Sequence, residues 1–135
     1  YNAALVDALL ETVQARLAAA GVKPKAVRVV RVPGSHEVPV AAHWLAREGG
    51  RHAVIALGVL IGGDTNHHEM VGQSVSHALQ RVALDSRLPV INGVIVADTL
   101  QQAEARCIGA INRGAEFARS ALEMAALGRS FRRKS

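Results

Sequence analysis

The sequence predicts an α/β domain: a three-layer α/β/α sandwich built on a parallel sheet. Three observations carry that prediction. Helical and strand-like patterns alternate along the chain instead of clustering. Ala53–Ile61 is almost continuously apolar, as a strand covered on both faces must be. Pro89 opens a second such run, Val90–Val96. The chain has 135 residues, 50% of them hydrophobic, which is enough to form one core. Residues 1–128 read as that domain and 129–135 as a basic tail.

The elements follow in order. Ala3–Ala20 places Leu5, Val6, Leu9, Leu10, Val13 and Leu17 on one helical face, and Gly21 closes the helix. A helix that opens an alternating pattern leads us to expect a first strand ahead of Tyr1. Ala26–Val32 carries four valines around Arg28 and Arg31 and is expected to be a strand. Pro33-Gly34-Ser35 breaks it, and a helix follows from Val38 to about Glu48, ended by Gly49-Gly50. His68–Asp85 is helical, with Val71, Val75, Leu79 and Val82 in one stripe. Asp98 or Thr99 caps a helix through Cys107, and a last helix spans Asn112 to Leu127. Trp44 and Phe117 fall at helical core spacings. The pattern (β)αβαβαβα implies a flavodoxin-like parallel sheet with helices on both faces.

Composition excludes several classes of function. Aromatic residues make up only 3%, too few for a stacking platform that holds single-stranded nucleic acid. A single cysteine, Cys107, cannot form an intrachain disulfide. The longest near-apolar stretch is too short to span a bilayer. The net charge is +5, with a sequence pI of about 10.3. The last seven residues hold Arg129, Arg132, Arg133 and Lys134 and no acid. Without them, Lys+Arg falls from 16 to 12 against 11 acids, so the rest is nearly neutral. The basicity is expected to sit in a solvated, frayed tail, and neither nucleic acid nor membrane is expected as a partner.

In such folds ligands bind beyond the carboxyl ends of the strands. Pro33–Pro39, Gly62–His67 and Asn92–Thr99 are expected there, together with Tyr1-Asn2. Gly62-Gly63-Asp64-Thr65 precedes a helix, and free amides at a helix N-terminus attract anions. His67-His68-Glu69 lacks the spacing of a zinc motif, because adjacent histidines point about 100° apart on a helix. A lone histidine at such a junction suits proton transfer instead. Ser35-His36-Glu37 cannot act as a relay, since consecutive side chains do not line up as nucleophile, base and orienter. It can offer backbone groups and a carboxylate to a polyol. Arg106 carries a guanidinium shaped for phosphate. Cys107 is read as a packed helix residue.

Taken in order, RVPGSHEVPVAA, ALGVLIGGDTNHHEMV, LPVINGVIVADTLQQAEAR and NRGAEFARSALEMA resemble the successive signatures of the 6,7-dimethyl-8-ribityllumazine synthases. The resemblance runs from Tyr1 to about Leu127. It implies the condensation of 5-amino-6-(D-ribitylamino)uracil with 3,4-dihydroxy-2-butanone 4-phosphate in riboflavin biosynthesis, with no cofactor and no metal. It also implies a role for each loop. Tyr1 would stack on the pyrimidine. Ser35, His36 and Glu37 would hold the ribityl side, and Val59, Leu60 and Ile61 would line the pyrimidine pocket. Asp64, Thr65 and Arg106 would bind the phosphate. His67 would transfer protons, and Asn92 would reach the site of a neighbouring subunit. The resemblance further implies a cytoplasmic homo-oligomer, a pentamer or a shell of twelve pentamers.

Four positions depart from the family pattern. Gly62 stands where a basic residue is usual. His36, His68 and Asn92 stand where aromatics are common. The segment between Arg106 and Asn112 is about one residue short. These departures leave a second reading, a flavin- or lumazine-binding shell protein with little catalysis.

Overall fold

The two apolar runs form a sheet, as their composition requires. In the computed structural model, which describes residues 2–63, 67–109 and 112–133, β1 spans Val54–Ile61 and β2 spans Val90–Ala97. They pair in parallel, from Val54 opposite Val90 to Ile61 opposite Ala97. The helix α3, His67–Ser86, connects them. Successive residues of each strand face opposite sides. Val59, Ile95 and Ala97 join one core, which also takes α1 (Ala3–Ala19), α4 (Leu100–Cys107) and α5 (Gly114–Arg133). Val54 and Ala56 join the other core, with α2 (Val38–Arg47) and α3. Two cores on two sides of one sheet make the three-layer α/β/α sandwich.

The cores follow the apolar stripes read from the sequence. Leu5, Leu9, Val13 and Leu17 of α1 are buried, as are Val75, Leu79 and Val82 of α3. Leu9 and Leu79 are essentially inaccessible, so truncating either to alanine is expected to cost about 2–5 kcal/mol. Thr99 caps α4, its Oγ1 accepting from the Gln102 N–H at 3.1 Å. Asn112 opens α5, its Oδ1 accepting from the Gly114 N–H at 2.8 Å. The same side chain donates to Thr12 Oγ1 and to the Cys107 carbonyl, both at 2.8 Å. It therefore fastens α1, α4 and α5 together.

Three expectations are corrected. Ala26–Val32 is not a strand. Pro24–Ala26 forms a 3-10 turn, and the chain beyond it runs without a ladder. The valines do favour extended backbone, with Val27 at φ −111° and ψ 117°. A strand also needs a pairing neighbour, however, and among the described residues β1 pairs only with β2. A cleft of about 1020 Å³ lies between residues 27–32 and β1. The strand expected ahead of Tyr1 falls outside the described residues. Trp44 is not in the core but 64% exposed. The buried positions of α2 are Val38, Ala41 and Ala42, and six residues of helix carry Trp44 about 120° round from Val38. The last helix does not stop at Leu127 but continues through Arg133. Arginines suit the negative end of a helix dipole, and no proline halts the turn. Arg129 is exposed and borders the cleft.

Glu48 anchors the end of α2. It accepts from Arg28 and, at 2.7 Å, from Arg51. The hydrogen bond from Arg51, followed by that from Arg28, holds its carboxyl below the usual glutamate range.

Candidate active site

The cleft runs along β1 from residues 50–54 at its amino end to Val59 and Leu60 near its carboxyl end, and most of the described candidates lie on its wall. Ser35–Glu37 forms a 3-10 turn in which the Glu37 N–H donates to the Gly34 carbonyl at 3.1 Å. The turn is pressed onto β1 at a glycine. A Cβ on Gly58 would stand 2.6 Å from Ser35 Oγ, so any larger residue there would displace that hydroxyl. His36 is exposed on the turn and Glu37 half-buried. Asn2 Nδ2 donates to the Val59 carbonyl at 3.3 Å, which brings the start of α1 to the same mouth. His67 is exposed at the first position of α3. Asn2, Ser35, His36, Glu37, Val59, Leu60 and His67 all line the cleft.

Other candidates lie elsewhere. Ile61 packs against the α1 side of the sheet, because it alternates with Leu60. Asn92 does not sit in a loop at the carboxyl end. It is the third residue of β2, opposite Ala56, exposed, with its Oδ1 accepting from the Val94 N–H at 3.0 Å. Arg106, half-buried on α4, is not part of the cleft wall. Its Nη1 donates to the Val96 carbonyl at 3.2 Å, and its own carbonyl accepts from the Arg113 N–H at 2.8 Å. A guanidinium has five N–H donors, and the bond to Val96 uses one of them. Tyr1, Asp64 and Thr65 lie outside the described residues.

Three histidines, His36, His52 and His67, line the cleft, and no cysteine is among its described lining residues. Cys107 is fully buried, and burial pushes its thiol up against a smaller opposing effect from Arg106. A thiol kept protonated is a poor nucleophile. His68, Glu69 and Asp98 bring one potential ligand atom each within 4.8 Å of one another. Glu69 and Asp98 are exposed, and the histidine already bonds to Asp98 at 3.1 Å. Sequence reasoning did not find this pair. Thirty residues separate its members, and no spacing rule links them. Nor did it find Gly58 as the seat of Ser35 or Arg129 on the cleft wall.

Comparison with known proteins identifies the family. The family model described as 6,7-dimethyl-8-ribityllumazine synthase matches residues 1–129. A curated protein of that name from Xanthomonas campestris pv. campestris (strain B100) is 42% identical over 125 residues, covering 92% of this chain and 81% of its own length. One from Xylella fastidiosa (strain 9a5c) is 41% identical over 128 residues, covering 94% and 83%. The chain therefore belongs to the 6,7-dimethyl-8-ribityllumazine synthase family, enzymes of riboflavin biosynthesis.

Proposed function

We propose that the chain condenses 5-amino-6-(D-ribitylamino)uracil with 3,4-dihydroxy-2-butanone 4-phosphate to give 6,7-dimethyl-8-ribityllumazine, phosphate and water, with His67 as its proton-transfer residue. The observation that carries this reading is the convergence of His67, Ser35, His36, Glu37 and Leu60 on one cleft. Imine formation, phosphate loss and ring closure all move protons near neutral pH, which suits an imidazole. The Glu37 carboxylate accepts from ribityl hydroxyls, with Ser35 and His36 beside it. Leu60, with Val59 beside it, forms the apolar side of the pyrimidine pocket, Ile61 backs that strand end from the α1 side, and Tyr1 stacks on the ring. Arg106, with Asp64 and Thr65, takes the phosphate, where a guanidinium stabilises the departing charge. Holding two substrates in register supplies the rest of the rate.

The site is completed by a second copy in a homo-oligomer, a pentamer or a shell of pentamers. In support, Asn92 is exposed at the amino-terminal part of β2, and Trp44, Leu84 and Met70 lie exposed on helices. A cytoplasmic location is part of the same proposal. No helix among the described residues is long and apolar enough to cross a membrane. The test is to mix the purified full-length protein with both substrates and follow lumazine absorbance. Product formation above the uncatalysed rate is expected, and its absence would overturn the proposal. Tight riboflavin binding without turnover would instead favour the binding-only reading.

A further inference from the structure

His68 stands beside the proposed proton-transfer residue and points elsewhere. Its side chain is only 7% exposed, and its Nε2 lies 3.1 Å from Asp98 Oδ1. Its Nδ1 is buried and makes no hydrogen bond. That pattern assigns the tautomer. A proton on Nδ1 would be buried and unsatisfied, so the neutral ring carries its N–H on Nε2 and donates it to Asp98. Gly62 leaves room for the contact. A Cβ there would stand 2.6 Å from the Asp98 carbonyl oxygen, and 2.9 and 3.0 Å from His68 Cε1 and Nε2. The Gly62 N–H donates to the Ala97 carbonyl at 2.8 Å, and the Asp98 N–H donates to Gln102 Oε1 on α4 at 2.9 Å. The end of β1, the first turn of α3 and the β2–α4 turn therefore meet at one imidazole.

We propose that His68 is a positioning residue that clamps the first turn of α3 to the β2–α4 turn and so aims His67 into the cleft. The inference rests on the role given to His67 above. The first turn of a helix lacks half of its backbone bonds and frays unless something outside the helix holds it. His68 supplies that hold from a buried position. Neighbouring helical residues differ by about 100° in direction, so fixing His68 against Asp98 also fixes the direction of His67. The clamp joins the strand end that carries Leu60 to the turn that leads into the helix of Arg106. The same contact thereby holds both sides of the proposed reaction in register.

The test compares wild type, His68→Phe, His68→Gln, Asp98→Ala and the Phe/Ala double variant, all in the full chain. Phenylalanine fills the space but cannot donate, whereas glutamine places an N–H near the position of Nε2. Hydrogen exchange is read at the amides of residues 71–74, which bond to the carbonyls of the first turn. His68→Phe and Asp98→Ala should each speed exchange there about fivefold to tenfold, the loss expected for one hydrogen bond, and leave the amides of residues 80–86 unchanged. In steady-state kinetics, His68→Phe should lower kcat about tenfold to a hundredfold, with both KM values within about threefold. His68→Gln should recover most of that loss, and the double variant should be no worse than either single one. Unchanged exchange at residues 71–74, or single losses that multiply in the double variant, would overturn the proposal. So would a His68→Phe kcat within about twofold of wild type. If wild type itself makes no product, the reaction assigned to the cleft fails, and the exchange arm alone decides whether the clamp exists.

Discussion

Gly58→Ala tests how the side of the cleft that carries Ser35 is built. The added methyl carbon would stand 2.6 Å from Ser35 Oγ, 3.4 Å from Ser35 Cβ and 3.4 Å from Val94 Cγ2. Only the first distance is a collision; carbon atoms pack comfortably at about 3.5–4.0 Å. Overpacking usually costs about 1–3 kcal/mol, and the Ser35 hydroxyl relieves part of that by rotating, so about 1 kcal/mol is expected. In a Ser35→Ala background the colliding atom is gone. There the preference for alanine over glycine within a strand, about 0.5–1 kcal/mol, should dominate. The substitution therefore changes sign, destabilising the native background and stabilising the Ser35→Ala one. The coupling between the two sites is about 1.5–2 kcal/mol. Urea midpoints of the four proteins at equal protomer concentration measure it. A coupling below about 0.5 kcal/mol would refute the close approach of the Ser35 turn to β1. The kinetic counterpart is a KM for the ribityl-bearing substrate raised about threefold to tenfold, because the rotated hydroxyl loses one hydrogen bond.

Other expectations follow from single side chains. Arg106→Ala should raise the KM for the butanone phosphate about tenfold or more and leave the pyrimidine KM within about twofold; steady-state titration of each substrate checks this, and equal losses would contradict the role given to Arg106. Cys107 should resist iodoacetamide in the native protein and label only in denaturant, since burial keeps its thiol protonated; native labelling at the rate of a free thiol would contradict that. Glu48 has a carboxyl held below its ordinary value of 4.5 by Arg51 and Arg28. Its contribution to stability is thus present above pH 4.5 and is lost as pH falls through the lowered value. The gap in Tm between wild type and Glu48→Gln should be small at pH 7 and vanish in stronger acid; a gap that widens with acid would reverse the assignment.

What the sequence made legible was whatever depends on local pattern. A strand buried on both faces must be apolar throughout, so β1 and β2 could be read within a residue of their ends. The helices of both layers show their stripes for the same reason, and Thr99 is a cap wherever it stands before a helix. Features that depend on a distant partner were not legible. Residues 26–32 have the composition of a strand, but being a strand is a property of a pair. Trp44 has the spacing of a core residue, yet only the position of the sheet decides which side of α2 is inside. Of the cleft, His67 and Ser35–Glu37 were legible as residue types at strand ends. Their convergence was not, because Gly58 acts by what it lacks. Asn92 was misplaced because an asparagine within an apolar run resembles the beginning of a loop.

The two unusual residues flanking the phosphate-side loop, Gly62 and His68, gain a common explanation. Each alone looks like erosion of a site, with a lost cation in one place and a lost aromatic in the other. In the fold they occupy adjacent space, and one makes the other feasible. A side chain at 62 would meet the Asp98 carbonyl, which belongs to the backbone and cannot rotate away, as well as the His68 ring. This differs from Gly58, where the colliding atom is the tip of a serine. The clamp therefore constrains residue 62 more rigidly than the Ser35 turn constrains residue 58. It also divides the labour between two consecutive histidines. In the proposed reaction the exposed one, His67, would exchange protons on the cleft, and the buried one is held by a carboxylate. A ring that is buried and bonded cannot serve as an acid or base for a substrate it does not touch. What it can govern is the direction of its neighbour, which is what a reaction limited by the alignment of two substrates would require.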